Sequence, residues 1–518
     1  MPAPDSGSRL AELLGALSLA TDLANGLTPE HGLRVALLAA RLAAADGLGA
    51  SRDAYWTGLL RYLGCTAFAV EESRFAAGDD IALRASFARN DVGRFPEFAR
   101  AAWRDVGRGA PPLQRWRGLV ELLSSPGAPR AHALAQCDAG VHAGRRLGMD
   151  SAVLQALSAT EERWDGSGLP HRLAGDALPL AQRHVEVARV AAAIGEHALA
   201  TGLALDLALS TELRRRAGRH LDPALVQRFL ADLPTLLPAL EPGTVWDAFL
   251  DAEPGLWLVG EGQFDALCEA FAMIADLKSG YFAGHSPGVA VIAGDAATAL
   301  GLSDADKGSL RRAALLHDLG VVSVPTGLWD KPGPLSAAEW ERVRLHSYWT
   351  DRALRRSPAL APLADIASRA HERLDGSGYH RGDGDAMGLA PRLLAAADTY
   401  HACTEPRAWR TALSAEEAKR VLRQDARDGR LCPHAVDAVL GAVGHASARR
   451  PADAPEALSE REHEVLRLLV RGLTNKQIAK ALSISPRTVQ HHTIHIYAKT
   501  GVRSRAGVAL WAVERRLL

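Results

Sequence analysis

Over residues 458–518, Val465, Leu466, Leu469, Ile478, Leu482, Val489, Ile496, Val508 and Leu510 fall at helical spacings and can close one small core. Polar punctuation divides the stretch into four helices. Ser459 with Glu462 makes a capping box for the first, and Gly472 stops it. Thr474 with Gln477 opens a short helix over 475–482. Ser485 followed by Pro486 is an N-cap with proline at the first helical position, and that helix runs to Thr500, where Gly501 ends it. Ser504 caps the fourth. Upstream, long runs of good helix formers with few β-branched stretches predict an all-α chain.

At 518 residues the chain is too long for one core, and three or four domains are expected. It also repeats itself. "ERWDGSGLPHR" at 162–172 returns as "ERLDGSGYHRG" at 372–382, each read as a helix entering a glycine-rich turn. "LLRYLG" at 59–64 parallels "LLHDLG" at 315–320, His31 parallels His285, and "GRHLDPALVQRFL" at 218–230 parallels "GRLCPHAVDAVL" at 429–440. The order is the same both times, with extra residues in the middle of the first copy, so the pattern predicts a duplication. The expected bounds are 1–240 for the first copy, a linker over 241–262, 263–445 for the second copy, a Pro- and Ala-rich linker over 446–457, and a small domain over 458–518.

Formal net charge is zero, but from Glu456 to the end 11 Lys and Arg face 5 Asp and Glu, a surplus of six, so the rest carries a deficit of six. A basic end on an acidic body is expected to meet a polyanion. The five cysteines form no CxxC pair, which predicts reduced thiols and a cytoplasmic setting. No apolar run reaches membrane-spanning length, and the start lacks the pattern of a signal peptide, so no membrane association is expected.

In the second copy His317 and Asp318 adjoin at the end of an apolar helix, where both can reach one ion. Such a pair alone is commonly a cap or a surface pair. Here it has company in His285, His346, His371 and Asp398, a mixed imidazole and carboxylate set that suits Fe, Mn, Zn or similar ions. Around these residues run "GHS" (284–286), "LLHDLG" (315–320), "KPGPLSAAEWERVRLHS" (331–347), "HERLDGSGY" (371–379) and "LLAAADTYHA" (393–402). On these words residues 263–440 resemble the HD-GYP subgroup of the HD phosphohydrolase family. The resemblance implies an all-α bundle, one or two divalent metal ions, and activity on a cyclic dinucleotide or another small phosphorylated ligand. It implies His285, His317, Asp318 and Asp398 as the core metal tetrad, with His317 and Asp318 catalytic, and His346 and His371 binding a second ion. The chain departs from the family in three places. Ala370 precedes His371 where two histidines are usual, Val321 stands where a phosphate-binding lysine follows the pair, and the family tripeptide reads Gly378-Tyr379-His380. In the turn, Gly376 and Gly378 are expected to take positive φ, and Asp375 to accept backbone hydrogen bonds.

The first copy has Arg61-Tyr62 at the place of His317-Asp318, Glu161 at that of His371 and Arg189 at that of Asp398. Two arginines repel a cation, so this copy is read as a fold without the chemistry, free to pack, bind a ligand or dimerise, with His31 a structural or surface histidine. Residues 458–518 form a helix-turn-helix and are similar to the LuxR-type DNA-binding domain on "LSERE", "GLTNKQIAKALSISPRTVQHH" and "YAKTGVRSR". That resemblance makes 486–500 the recognition helix and Lys476, Arg487, Thr488, Gln490, His491 and Lys499 candidates for contacts to double-stranded DNA. Val489 is either a DNA-proximal or a core residue. One such domain has a small footprint, so a homodimer is expected, through the fourth helix or through the body. The fold expectation is two tandem HD-type bundles and a four-helix reader. The leading functional expectation is a transcription regulator sensing a phosphorylated ligand. The alternatives are a metal-dependent phosphohydrolase with an accessory DNA-binding domain and an inert scaffold that dimerises a DNA reader.

Overall fold

Helix-forming sequence with stop signals at glycine gives helices almost throughout. The computed structural model describes residues 7–446, 458–515 and 517. Among them the one sheet is a two-stranded ribbon, Ser8–Arg9 antiparallel to Leu258–Val259. The chain divides between Gln263 and Phe264 into two units. Among the described residues no helix is long and apolar enough to cross a membrane, and the five cysteines are free.

In the first unit helices Leu10–Ala24, His31–Ala43, Leu48–Leu60 and Leu180–Thr201 share a core of leucine and alanine. The segment 241–262, expected as a linker, folds back on this bundle. Its Pro and Gly signals are real, but they frame an apolar patch. Helix Trp246–Asp251 buries Phe249, which stacks on Tyr55 with centroids 5.1 Å apart, and Leu258–Val259 forms the ribbon.

The second unit repeats the scheme with Glu261–Asp276, His285–Ala299, Asp304–Leu316 and Leu389–Thr404, closed by Pro433–Ala446. Of the second expected linker, Ala446 ends this last helix and 447–457 lie outside the described residues. The small domain has helices Glu460–Val470, Asn475–Leu482, Pro486–Thr500 and Arg505–Glu514. Both capping boxes form, and Ser485 and Ser504 cap as expected. Val465, Leu466, Leu469, Ile478, Val489, Ile496 and Val508 share its core. Val489 is fully buried and is therefore a packing residue.

The repeated turn is built the same way in both copies. Asp375 accepts from the Ser377 N–H and hydroxyl at 3.0 and 2.6 Å, as Asp165 does from Ser167 at 3.0 and 2.5 Å. Gly376 and Gly166 take φ near +77° and +76°. Gly378 does not have the expected positive φ. It is required because a Cβ there would run into Glu372, and Gly168 stands in the same relation to Glu162. Glu372 is buried and accepts the N–H groups of His380, Arg381 and Gly382 at 3.0–3.1 Å; Glu162 accepts those of His171, Arg172 and Leu173 at 2.6–3.1 Å. The turn thus wraps a buried carboxylate, and helix Ala361–Ala367 ends before it, so His371 lies in the turn region instead of on a helix.

Candidate metal centre and DNA-reading face

Five of the six ligand candidates are delivered by the end or the inner face of a helix, and His371 by the turn region. His285 is the first residue of helix His285–Ala299, set by Gly284 at φ +81°. His317 caps the end of Asp304–Leu316 and Asp318 follows it. His346 faces inward from Ala337–Leu354, and Asp398 from Leu389–Thr404. The structure brings all six together. His285 Nε2 is 3.2 Å from Asp398 Oδ1 and 3.8 Å from Asp318 Oδ2. His317 Nε2 is 3.6 Å from Asp318 Oδ2 and 3.7 Å from Asp398 Oδ1. On the other side of the same carboxylates, Asp318 Oδ1 is 3.3 Å from His346 Nε2 and 3.2 Å from His371 Nε2, and Asp398 Oδ2 is 3.3 Å from His371 Nδ1. Asp318 thus offers one oxygen to each of two clusters.

These residues fit a metal. Ligand atoms bonded to an ion at about 2.0–2.2 Å stand roughly 3–4 Å apart, the spacing seen here. His317 Nε2 is buried with no hydrogen-bond partner, while its Nδ1 donates to the Ala314 carbonyl at 2.7 Å. His346 Nδ1 donates to the Val343 carbonyl at 2.6 Å, and His285 Nδ1 to Glu405 at 2.8 Å. With Nδ1 anchored in this way, the three imidazoles turn Nε2 toward the carboxylates, and that is the nitrogen an ion would take. Burial pushes the Asp318 and Asp398 carboxyls up, but the surrounding histidines outweigh it and hold both well below the ordinary range. The sequence reading missed Glu405, which orients His285 and lies 3.3 Å from His401. It also missed Asp276, whose carboxylate accepts the Ser286 N–H and hydroxyl beside His285. Tyr379 stacks on His371 with centroids 4.7 Å apart. At the departures, Val321 and Ala370 are both buried apolar side chains.

The connection 277–284 leads into His285. Phe282 packs edge-on against Trp329 at 5.1 Å and lies 6.4 Å from His285. On the other side of the connection Leu277 and Ala283 pack against the core of the small domain, and Gly280 lies so close to the Arg471 backbone that a Cβ would collide with it.

In the first copy the corresponding place is filled by the protein itself. Arg61 Nη1 and Arg189 Nη2 reach the buried Glu186 carboxylate at 3.0 and 2.5 Å, and His220 Nε2 reaches it at 2.7 Å. His31 is a buried structural histidine, with Nδ1 2.6 Å from Glu196 and Nε2 2.9 Å from the Tyr62 hydroxyl.

On the reader, Lys476, Arg487, Gln490 and His491 are exposed on the helix-turn-helix. Thr488 is exposed as well, but its hydroxyl hydrogen-bonds Ser485 at 2.8 Å as part of the cap. Lys499 pairs with Glu462 of the first capping box at 2.7 Å.

A helical bundle converging histidines and aspartates on one carboxylate pair, joined to a helix-turn-helix domain, defines an HD-domain protein with a DNA reader. Residues 269–434 match the HD domain family, and 456–512 match the bacterial regulatory proteins of the luxR family. The chain is 31% identical over 427 residues to 3'3'-cGAMP-specific phosphodiesterase 3 of Vibrio cholerae, covering 80% of this chain and 91% of that protein. It is 34% identical over 160 residues to a cyclic di-GMP phosphodiesterase of Thermotoga maritima, covering 30% of this chain and 43% of that protein. A crystal structure of a cyclic GMP-AMP-specific phosphodiesterase of V. cholerae superposes with a TM-score of 0.57 at 26% identity, over 85% of this chain and 98% of that one. The chain belongs to the HD-GYP-type phosphodiesterase family and carries a LuxR-type reader at its C-terminal end.

Proposed function

We propose that this chain is a DNA-binding transcription regulator whose second copy binds one or two divalent ions and a small phosphorylated ligand, and passes the state of that site to its reader. A cyclic dinucleotide is the ligand its relatives' names favour. The observation that carries the reading is the 277–284 connection, which ends in His285 and packs Leu277 and Ala283 against the reader's core. A ligand that moves His285 or Phe282 acts on the surface where the reader rests. The reader's small footprint makes a pair of chains the working unit on DNA.

One ion would be held by His285, His317, Asp318 and Asp398, and the second by Asp318, His346 and His371. A bound ion supplies an acidified water and positive charge for a phosphate. The chain's own residues hold the imidazole tautomers, through Glu405, Ala314 and Val343. Lys476, Arg487, Gln490 and His491 are the exposed groups proposed to meet DNA, with Lys499 and Thr488 serving the reader's own fold.

The test is DNA affinity at fixed salt, on a fragment selected by the protein from genomic DNA, with and without Mn²⁺ and with 3'3'-cGAMP or cyclic di-GMP. A shift of tenfold or more on adding both supports the reading; unchanged affinity contradicts it. Asp318's shared position between two clusters favours hydrolysis as a second reading. Release of linear dinucleotide in the same mixture identifies an enzyme, and binding without release a sensor.

A further inference from the structure

Between the aligned landmarks Arg61 and Glu161 the first copy spends 100 positions, where the second spends 54 between His317 and His371, so about 46 residues are inserted. Part of that insertion is the helix pair Phe95–Asp105 and Pro112–Ser124. It has its own small core of Ala76, Leu83, Ala102, Val106 and Leu119. Gly118 and Leu119 turn one face of Pro112–Ser124 inward, and a Cβ on Gly118 would strike the Phe75 carbonyl. A second face is apolar too, and it is bare. Leu113, Trp116, Val120 and Leu123 recur at spacings of three, four and three residues, and Trp103 lies edge-to-face with Trp116 at 6.1 Å. These five side chains are each 59–68% exposed.

We propose that this face is the docking surface for a second copy of the same chain, paired about a two-fold axis that crosses helix Pro112–Ser124 near Gly118. The five side chains bare on the order of 500 Å² of apolar surface, at the upper end of what a monomer leaves uncovered. Together with its rim such a face approaches the ~800 Å² per partner that a stable interface takes. The spacing is self-complementary. With the two helices antiparallel about that axis, Trp116 of one copy meets Val120 of the other, and Leu113 meets Leu123. On the rim Arg117 and Glu121 stand exposed one turn apart on the same helix, so the antiparallel pairing brings opposite charges of the two copies near each other. The surface rests on the pairing of readers proposed above only for its consequence on DNA.

The test is the mass of the full chain in solution by sedimentation velocity. A dimer of about 110 kDa, twice 55.1 kDa, is expected for the wild type. For Trp116→Glu/Val120→Glu a monomer with unchanged helical circular dichroism and unchanged metal content is expected, its self-affinity weakened at least 100-fold. A double variant Leu113→Cys/Leu123→Cys, whose two thiols lie too far apart on one helix to join, is expected to form a disulfide-linked dimer on mild oxidation, and it decides the matter if the glutamate variant does not fold. A monomeric wild type, including one that floats with lipid vesicles instead, overturns the proposal; so does a glutamate variant that stays dimeric, or a cysteine variant that does not cross-link. A monomeric variant with unchanged DNA affinity leaves the surface standing and overturns only the pairing of readers.

Discussion

Where the second copy sets His317 and Asp318, the first sets Arg61 and Tyr62, and the buried chemistry around that point changes sign. In the second, imidazole nitrogens and two carboxylates face inward and leave a place for a cation. In the first, two guanidinium groups close on the carboxylate of Glu186. The scaffold underneath is shared. His31 and His285 each begin a helix after a left-handed residue, Glu30 at φ +72° and Gly284 at φ +81°. Each gives its Nδ1 to a glutamate, Glu196 within Leu180–Thr201 or Glu405 just past the end of Leu389–Thr404. Each has a buried aspartate accepting the N–H of the next residue, Asp22 from Gly32 and Asp276 from Ser286. The groups that orient the histidine therefore outlast the site, because they also hold a helix start in place. What differs is the last set of atoms, those that an ion would touch.

The largest contrast is in metal content. His317→Ala is expected to lower the metal content of the purified chain by one ion, that of the His285, His317, Asp318 and Asp398 site, and His31→Ala to leave it unchanged, as read by inductively coupled plasma mass spectrometry. A wild-type metal content in His317→Ala breaks the comparison from one side, and metal lost in His31→Ala breaks it from the other.

Next is the cost of opening the first copy's ion cluster. Glu186→Gln leaves Arg61 and Arg189 buried against a neutral amide, a loss of about 3–5 kcal/mol in urea denaturation. Burial pushes the Glu186 carboxyl up, but Arg189 and Arg61 outweigh it and hold it well below its ordinary 4.5. A carboxyl with a depressed folded pKa stabilises above its unfolded pKa and loses that contribution as pH falls through the folded value. The difference between variant and wild type is therefore expected to be full at pH 7 and to shrink on acidification below about 4.5. A difference that does not vary with pH would mean the cluster is held by packing and not by charge.

The smallest effect sharpens the likeness. Glu405→Gln keeps a group beside His285 but weakens its hold on the imidazole, and metal affinity is expected to fall about 10–100-fold in a chelator competition. The same change at Glu196 is expected to leave metal affinity untouched.

The sequence made the reader's helices legible, since caps such as Ser459 with Glu462 and Thr474 with Gln477 act within one turn and need no tertiary knowledge. The six candidate ligands were legible through family words, and they do converge. Glu405 was not, because its partner His285 lies 120 positions away and no word of the chain links them. Glu372 could have been found, for it stands at the same place before both glycine turns. The reason for Gly378 was misread, since close approach and positive φ both ask for glycine and only coordinates separate them. The segment 241–262 was misassigned because its prolines and glycines outweighed Trp246 and Phe249, whose three-residue spacing is that of a helix packing inward.

One experiment addresses the contrast between the copies directly: diffraction from crystals of the full chain grown with Mn²⁺, measured at an energy where manganese scatters anomalously. The expected map has one or two peaks beside Asp318 and none beside His31 or Glu186. A peak in the first copy, or an empty second copy at saturating Mn²⁺, would contradict the account.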